Sequence, residues 1–184
     1  MGRKSITVTA IVLLLLPLSA RGLDFDYAKI ADTNTASPSG GLFGVLDSYP
    51  TIDGYNVAFY GQTSSGSTKG IYLGSSGPLT KIVDNNTQIP SGAGYFTDFG
   101  SGSASVSNGK VAFAASDTVH SGPGVYTNVG GGLNTVADTD TPLPSGSGTF
   151  TYTVSASLDG SNVAFHGLGV GGRLGIYSSL GGLH

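Results

Sequence analysis

Cysteine, tryptophan and glutamate are all missing from the 184 residues, and methionine occurs once. Each absence removes a class of chemistry. Without cysteine there is no disulfide framework, no thiol nucleophile and no thiolate-held metal. Without glutamate the side-chain carboxylates reduce to eleven aspartates, which excludes any glutamate-based acid/base pair. Charged residues of either sign make up only 10% of the chain. What is present instead is glycine (31), serine (24) and threonine (18). That mixture is poor helix material, because glycine loses the most backbone entropy and the hydroxyl residues compete for backbone hydrogen bonds.

The N-terminus has a distinct design. Arg3 and Lys4 precede an apolar stretch from Ile6 to Leu18, and small residues follow at Ser19, Ala20 and Gly22. This is the layout of a secretory signal peptide, with a helical apolar middle and cleavage after Ala20 or Gly22. The apolar run is shorter than the roughly 20 residues that span a bilayer. The sequence therefore predicts a signal at 1–22 and an exported domain at 23–184, free of the membrane after cleavage and placed in the periplasm or outside the cell. No sorting tail is read at the C-terminus. Loss of the signal leaves five basic residues (Lys29, Lys69, Lys81, Lys110 and Arg173) against eleven aspartates, a net charge of −6. Nucleic-acid binding needs clustered positive charge, so no nucleic-acid partner is expected.

The exported part repeats itself. Ile30-Ala31-Asp32 recurs at Ile82-Val83-Asp84 and Val136-Ala137-Asp138, and Pro38-Ser39-Gly40 recurs at Pro90 and Pro144. Phenylalanine follows each time at Phe43, Phe96 and Phe150. Val57-Ala58-Phe59 returns at Val111 and Val163, and Gly70-Ile71-Tyr72 returns at Gly124 and Gly175, all at a period of 51 to 54 residues. Periods of this size mark propeller blades or solenoid units. The units run approximately 27–83, 84–137 and 138–184.

Each unit reads as four short strands: a Ser/Thr-rich one ending at Ile52, Val106 or Leu158, then the Val-Ala-Phe, Gly-Ile-Tyr and Ile-Ala-Asp strands. Asp53-Gly54, Asn108-Gly109 and Asp159-Gly160 supply the hairpin turns between the first two. The expected fold is all-β and propeller-like, about three four-stranded blades. Its first strand, Tyr27–Asp32, is of the fourth type, so the set is circularly permuted. Three blades are too few for an ordinary ring. The sequence is then a fragment, an open arc, or half of a homodimer that completes the ring.

Ser157-Leu158-Asp159-Gly160-Ser161-Asn162-Val163-Ala164-Phe165, followed by Gly175-Ile176-Tyr177, resembles the repeats of TolB-like propellers. More closely, the repeats resemble those of a bacterial secreted family with tandem N-x-x-G-x-x-x-A-F motifs, often carrying PEP-CTERM or other surface-sorting tails. Gly54/Ala58/Phe59 and Gly160/Ala164/Phe165 match that motif, whereas the middle unit shifts its glycine to Gly109 and Thr51 or Ser157 replaces the asparagine. The resemblance implies an extracytoplasmic repeat protein and brings no catalytic residues.

Several residues nonetheless invite chemical readings. Asp32/Asn34, Asp84/Asn86 and Asp138/Asp140 alternate oxygen ligands as calcium loops do, but the same residue types cap turns, and turn-making is the preferred reading. No other cofactor is expected. Gly167-Leu168-Gly169-Val170-Gly171-Gly172 has dinucleotide-loop spacing, yet Arg173–Tyr177 continues as a strand where a helix is required, so it reads as a hairpin. His120, His166 and His184 read as loop or sheet-surface residues. Asp47, Asp98 and Asp117 lie outside the repeated positions and are the carboxylates that a glycosidase-type site would have added. Tyr72, Tyr126 and Tyr177 form a row that could stack on sugar rings, or pack internally with solvated hydroxyls. The sequence thus predicts a secreted, non-catalytic binding or surface-structural module for a glycan or protein ligand. The alternative is an extracytoplasmic polysaccharide hydrolase or lyase.

Overall fold

The structure, a computed structural model, describes residues 25–46, 49–100, 104–144 and 148–179. The expected signal and its helix (1–22), Asp47 and His184 lie outside the described residues. Among those described, every regular element is a β-strand, and no helix is long and apolar enough to cross a membrane. The protein is all-β.

Three antiparallel sheets follow one another along the chain, and none closes on itself. The first holds β1 (Phe43–Leu46), β2 (Thr51–Asp53), β3 (Asn56–Thr63), β4 (Lys69–Gly74) and β5 (Thr80–Asp84). The second holds β6 (Phe96–Phe99), β7 (Ser105–Ser107), β8 (Lys110–Asp117), β9 (Gly124–Thr127) and β10 (Asn134–Ala137). The third holds β11 (Phe150–Asp159), β12 (Asn162–Gly169) and β13 (Arg173–Ser178). In the first sheet β1 and β2 lie end to end along one side of β3, pairing with its two halves, while β4 and β5 continue on the other side. β6 and β7 repeat this along β8. In the third sheet one strand, β11, does both jobs. It bends where the register breaks between Val154 and Ser157, with Ser155 at a φ of 58°.

The phenylalanine after each Pro-Ser-Gly element opens β1, β6 or β11, so the first strand of a unit extends beyond its Ser/Thr-rich end. Two expectations are corrected here. Residues 27–32 carry the fourth-strand pattern but form no strand, because no ladder partner lies beside them among the described residues. Two of the three hairpins also shift by one position, while Asn108-Gly109 turns as expected. Asp53 and Asp159 are the last strand residues, and the turns are Gly54-Tyr55, Asn108-Gly109 and Gly160-Ser161. Asn108 and Gly109 both take positive φ (50° and 70°), the type I′ pattern, whereas only the leading glycine does so in the other two (58° each), the type II′ pattern. That difference explains the displaced glycine of the middle unit.

Strand alternation gives each sheet two unlike faces. One carries an aromatic triplet: Phe43, Phe59 and Tyr72 in the first sheet, Phe96, Phe113 and Tyr126 in the second, Phe150, Phe165 and Tyr177 in the third. The outer phenylalanine meets the tyrosine edge-on every time, with centroids 5.0, 4.9 and 4.8 Å apart and rings at 83°, 88° and 89°. Space for it comes from the residue two after the Val-Ala-Phe phenylalanine. A Cβ on Gly61 or Gly167 would come within 2.6 or 2.7 Å of the Phe43 or Phe150 ring. The opposite face carries small and branched residues, Ala58, Ile71 and Val83 in the first sheet and Ala114, Val125 and Ala137 in the second.

The sheets stack aromatic face on aliphatic face. Ala58, Ile71 and Val83 pack against Phe96, Phe113 and Tyr126. Ala114, Val125 and Ala137 pack against Phe150, Phe165 and Val163. β8 is accordingly buried on both faces, as a strand between two sheets must be, whereas β12 buries only alternate residues.

Candidate functional site

Three aspartate turns, one ahead of each sheet, share one geometry. Oδ1 of Asp32, Asp84 and Asp138 accepts the N–H of the residue two on, at 3.1 Å in each. The same oxygen accepts the hydroxyl of Thr35, Thr87 or Thr141 at 2.7 to 2.8 Å. That hydroxyl in turn accepts the aspartate's own N–H at 2.9 to 3.1 Å. The second oxygen is taken too, by Lys29 in the first turn and by Lys81 and Ser39 in the second.

In this geometry the calcium-candidate residues serve as turn closers. Asn34, Asn86 and Asp140, the second member of each candidate pair, enter their turns as backbone N–H donors rather than as side-chain oxygen ligands. All three are exposed at the turn tips. Oδ1 of Asp32, Asp84 and Asp138 closes its own turn, and the three pairs stay in three separate turns. Calcium wants six to eight oxygens around one point, and each turn gathers far fewer. No group of three or more histidine or acidic side chains that could hold a metal occurs among the described residues.

The third turn differs, because His120 reaches it. β8 ends at Asp117, opposite Phe96 at the sheet edge. Asp117 stands at the ladder position of Thr63 in the first sheet and Gly169 in the third, each likewise opposite the outer phenylalanine. Its Oδ1 accepts the N–H groups of Val119 and His120, both at 2.8 Å, which folds the following loop back on itself. Oδ2 faces His120 Nδ1 at 2.8 Å and accepts the Tyr126 hydroxyl at 2.8 Å. On the far side of the ring, Nε2 lies 3.5 Å from carboxylate oxygens of both Asp138 and Asp140. His120 sits in a loop, as one of the two expected placements has it, and its imidazole is buried there, only 8% exposed.

The electrostatics follow from this packing. Burial pushes the Asp117 carboxyl up, but the His120 and Val119 N–H groups, the His120 ring and the Tyr126 hydroxyl outweigh it and hold the group below the usual carboxylate range. Burial likewise pushes His120 down, and Asp117 with the charges of Asp138 and Asp140 reverses the sign, leaving the imidazole above its ordinary value. Tyr126 is driven far up, first by burial and then by the carboxylate it donates to. The arrangement is a charge-paired clasp from the end of β8 to the turn that starts the third unit.

The remaining candidates are dispersed. Asp98 sits on β6 opposite Ser116 and pairs with Lys69 at 2.7 Å, largely exposed. Asp117 is the residue after Ser116, so the two carboxylates point to opposite faces and do not converge. His166 lies on β12 between Val154 and Ile176. Gly167–Gly172 forms the end of β12 and the tight turn into β13, as a hairpin should. Tyr72 and Tyr126 are fully buried and Tyr177 is half-buried, so the row offers no platform to a sugar ring. Nor are their hydroxyls solvated as expected: Tyr72 donates to Ser39 and accepts from Ser37, and Tyr126 donates to Asp117.

Apolar cavities occur at equivalent places. One of about 240 Å³ is lined by Ile30, Ala31, Leu46, Pro50, Val57 and Phe59, over the aromatic face of the first sheet. Another of about 150 Å³ lies between Val136–Ala137 and the aromatic face of the third sheet. No curated protein matches the sequence. The three repeated sheets, with the first aspartate turn, fall within one match at residues 26–179, and on this the chain belongs to a family of unknown function, DUF7453.

Proposed function

We propose that the protein is an exported, non-catalytic repeat module whose sheets are successive blades of a propeller-like scaffold, serving as a binding or surface-structural element. The observation that carries this reading is the engagement of its chemistry. Oδ1 of each turn aspartate closes its own turn, and the buried imidazole is faced by carboxylates on both nitrogens, so neither the turn aspartates nor His120 is left poised toward a cleft. The blade reading is supported by the first two sheets, each four strands wide once the split first strand is counted once, at the period a blade requires. The competing hydrolase or lyase draws on Asp117 and His120, a buried carboxylate–imidazole pair. Incubating the purified protein with a panel of acidic and neutral glycans and measuring new reducing ends separates the two. No release is expected. Release that Asp117→Asn abolishes, in a variant that still melts cooperatively, overturns the non-catalytic reading.

A further inference from the structure

The stack is directional, and among the described residues its two outer faces are complementary. On the first sheet the aromatic face has no sheet over it, and Ile52 is 70% exposed where its repeat equivalents Val106 and Leu158 are 6% and 7% exposed. On the third sheet the aliphatic face is bare, and Ile176 is 77% exposed where Ile71 and Val125 are 0% exposed. These are the same two surfaces that meet twice inside the molecule.

The strand edges agree with the faces. β4 and β9 are each flanked by a further strand, with Ile71 opposite Val83 and Val125 opposite Ala137. β13, their counterpart, has β12 on one side and, among the described residues, no strand on the other. The matching strand sequence exists at residues 29–32: Lys29-Ile30-Ala31-Asp32 parallels Lys81-Ile82-Val83-Asp84, down to the lysine–aspartate pair at 2.9 Å in both. It lies against the first aromatic face, with Ile30 and Ala31 beside Phe43, Phe59 and Tyr72, as Val83 lies against the second. It is in no ladder. A hydrogen-bond template repeats as well. The turn amides of Asn108 and Gly160 donate to side chains of the preceding sheet, Asp53 and Ser107. Asp159 occupies that acceptor position on the third sheet, and Gly54 that donor position on the first.

We infer that a second copy of this chain docks head to tail, its residues 29–32 pairing with β13 and its first aromatic face covering Ile176. In this register Ala31 of the second copy stands opposite Ile176, as Val83 stands opposite Ile71. Such a contact is heterologous, so two copies close a ring if the rotation allows and otherwise build an open stack.

The test uses two exposed substitutions, Ile52→Asp and Ile176→Asp, each spoiling one face. Sedimentation of the purified protein is expected to show assembly at micromolar concentration, and each variant alone is expected to sediment as a monomer with an unchanged circular dichroism spectrum. Mixed, the variants regain a one-to-one dimer, because each retains the face the other lacks. An independent measurement exploits the absence of cysteine: mixing Ala31→Cys with Ile176→Cys chains is expected to give a disulfide between unlike chains in preference to like ones. A parent chain that stays monomeric throughout, or assembly that either aspartate variant leaves intact, overturns the proposal.

Discussion

His120 shows how one side chain ties a repeat to its neighbour. Its folded pKa lies above the unfolded value of about 6.5. Its contribution to stability is therefore complete below that pH and is lost as pH rises through the folded value. Asp84 and Asp117 run the other way. Burial raises both, but their hydrogen-bond donors (with the Lys81 charge beside Asp84) prevail and depress them, so their stabilisation is present above the ordinary aspartate range and is lost on acidification. Melting temperature is expected to peak between these limits and to fall as pH rises through the raised His120 value. His120→Gln should flatten the neutral-to-alkaline limb and leave the acid limb in place. A neutral limb that persists unchanged in that variant would show that the clasp contributes nothing.

The aspartate turns can be ranked at the same scale. Asp84 is buried and accepts from Lys81, Ser39, Thr87 and the Asn86 N–H. Asp84→Ala leaves those donors without a partner and is expected to cost about 2–3 kcal/mol in urea unfolding, the range for hydrogen bonds to charged groups. Asp32 is more exposed and makes the smaller set, from Lys29, Thr35 and the Asn34 N–H, so Asp32→Ala should cost clearly less. Equal losses would contradict the ranking. Because the carboxylates are already engaged, adding calcium or a chelator should leave the melting curve unmoved. A rise of several degrees with calcium would show a bound ion.

At the level of the element, the aromatic triplet is the unit of design. Phe113 contacts Phe96, Phe99 and Tyr126 between two sheets, and Phe113→Ala is expected to destabilise by about 3–5 kcal/mol, the usual range for a buried phenylalanine. Phe59→Ala, on the face with no sheet over it, should cost less in a monomeric variant. The triplets also explain what the sequence made legible. Val-Ala-Phe and Gly-Ile-Tyr recur because their strands pair locally through hairpins, and the periodicity shows directly. β1 and β6 were hidden because Phe43 and Phe96 pair with the distant ends of β3 and β8, a register that no local pattern encodes. Residues 27–32 carry the opposite lesson. Their pattern is that of a strand, but a strand also needs a neighbour, and the described residues supply none. The Asp-x-Asn spacing at Asp32 and Asn34 suits a calcium loop and a turn equally well. In the fold the Asn34 N–H is directed at Asp32 and closes a turn. The clasp was half visible, since Asp117 breaks the repeat where Thr63 and Gly169 stand. Its partner was not, because the approach of Asp138 to His120 depends on how the third turn sits beside β8.

For the whole molecule, the account rests on one interface used repeatedly. A chain without cysteine has no covalent staple, and its stability must come from stacked sheets. Among the described residues the middle sheet is covered on both sides, and the outer two are covered by a sheet on one. Amide hydrogen exchange along β13 reads this arrangement most directly. With a second copy supplying residues 29–32, protection of the Arg173–Ser178 amides should climb with protein concentration toward that of β4 and β9, and Ile52→Asp should abolish the climb. Exchange in β13 that stays fast at every concentration, while β4 and β9 are protected, would contradict the account.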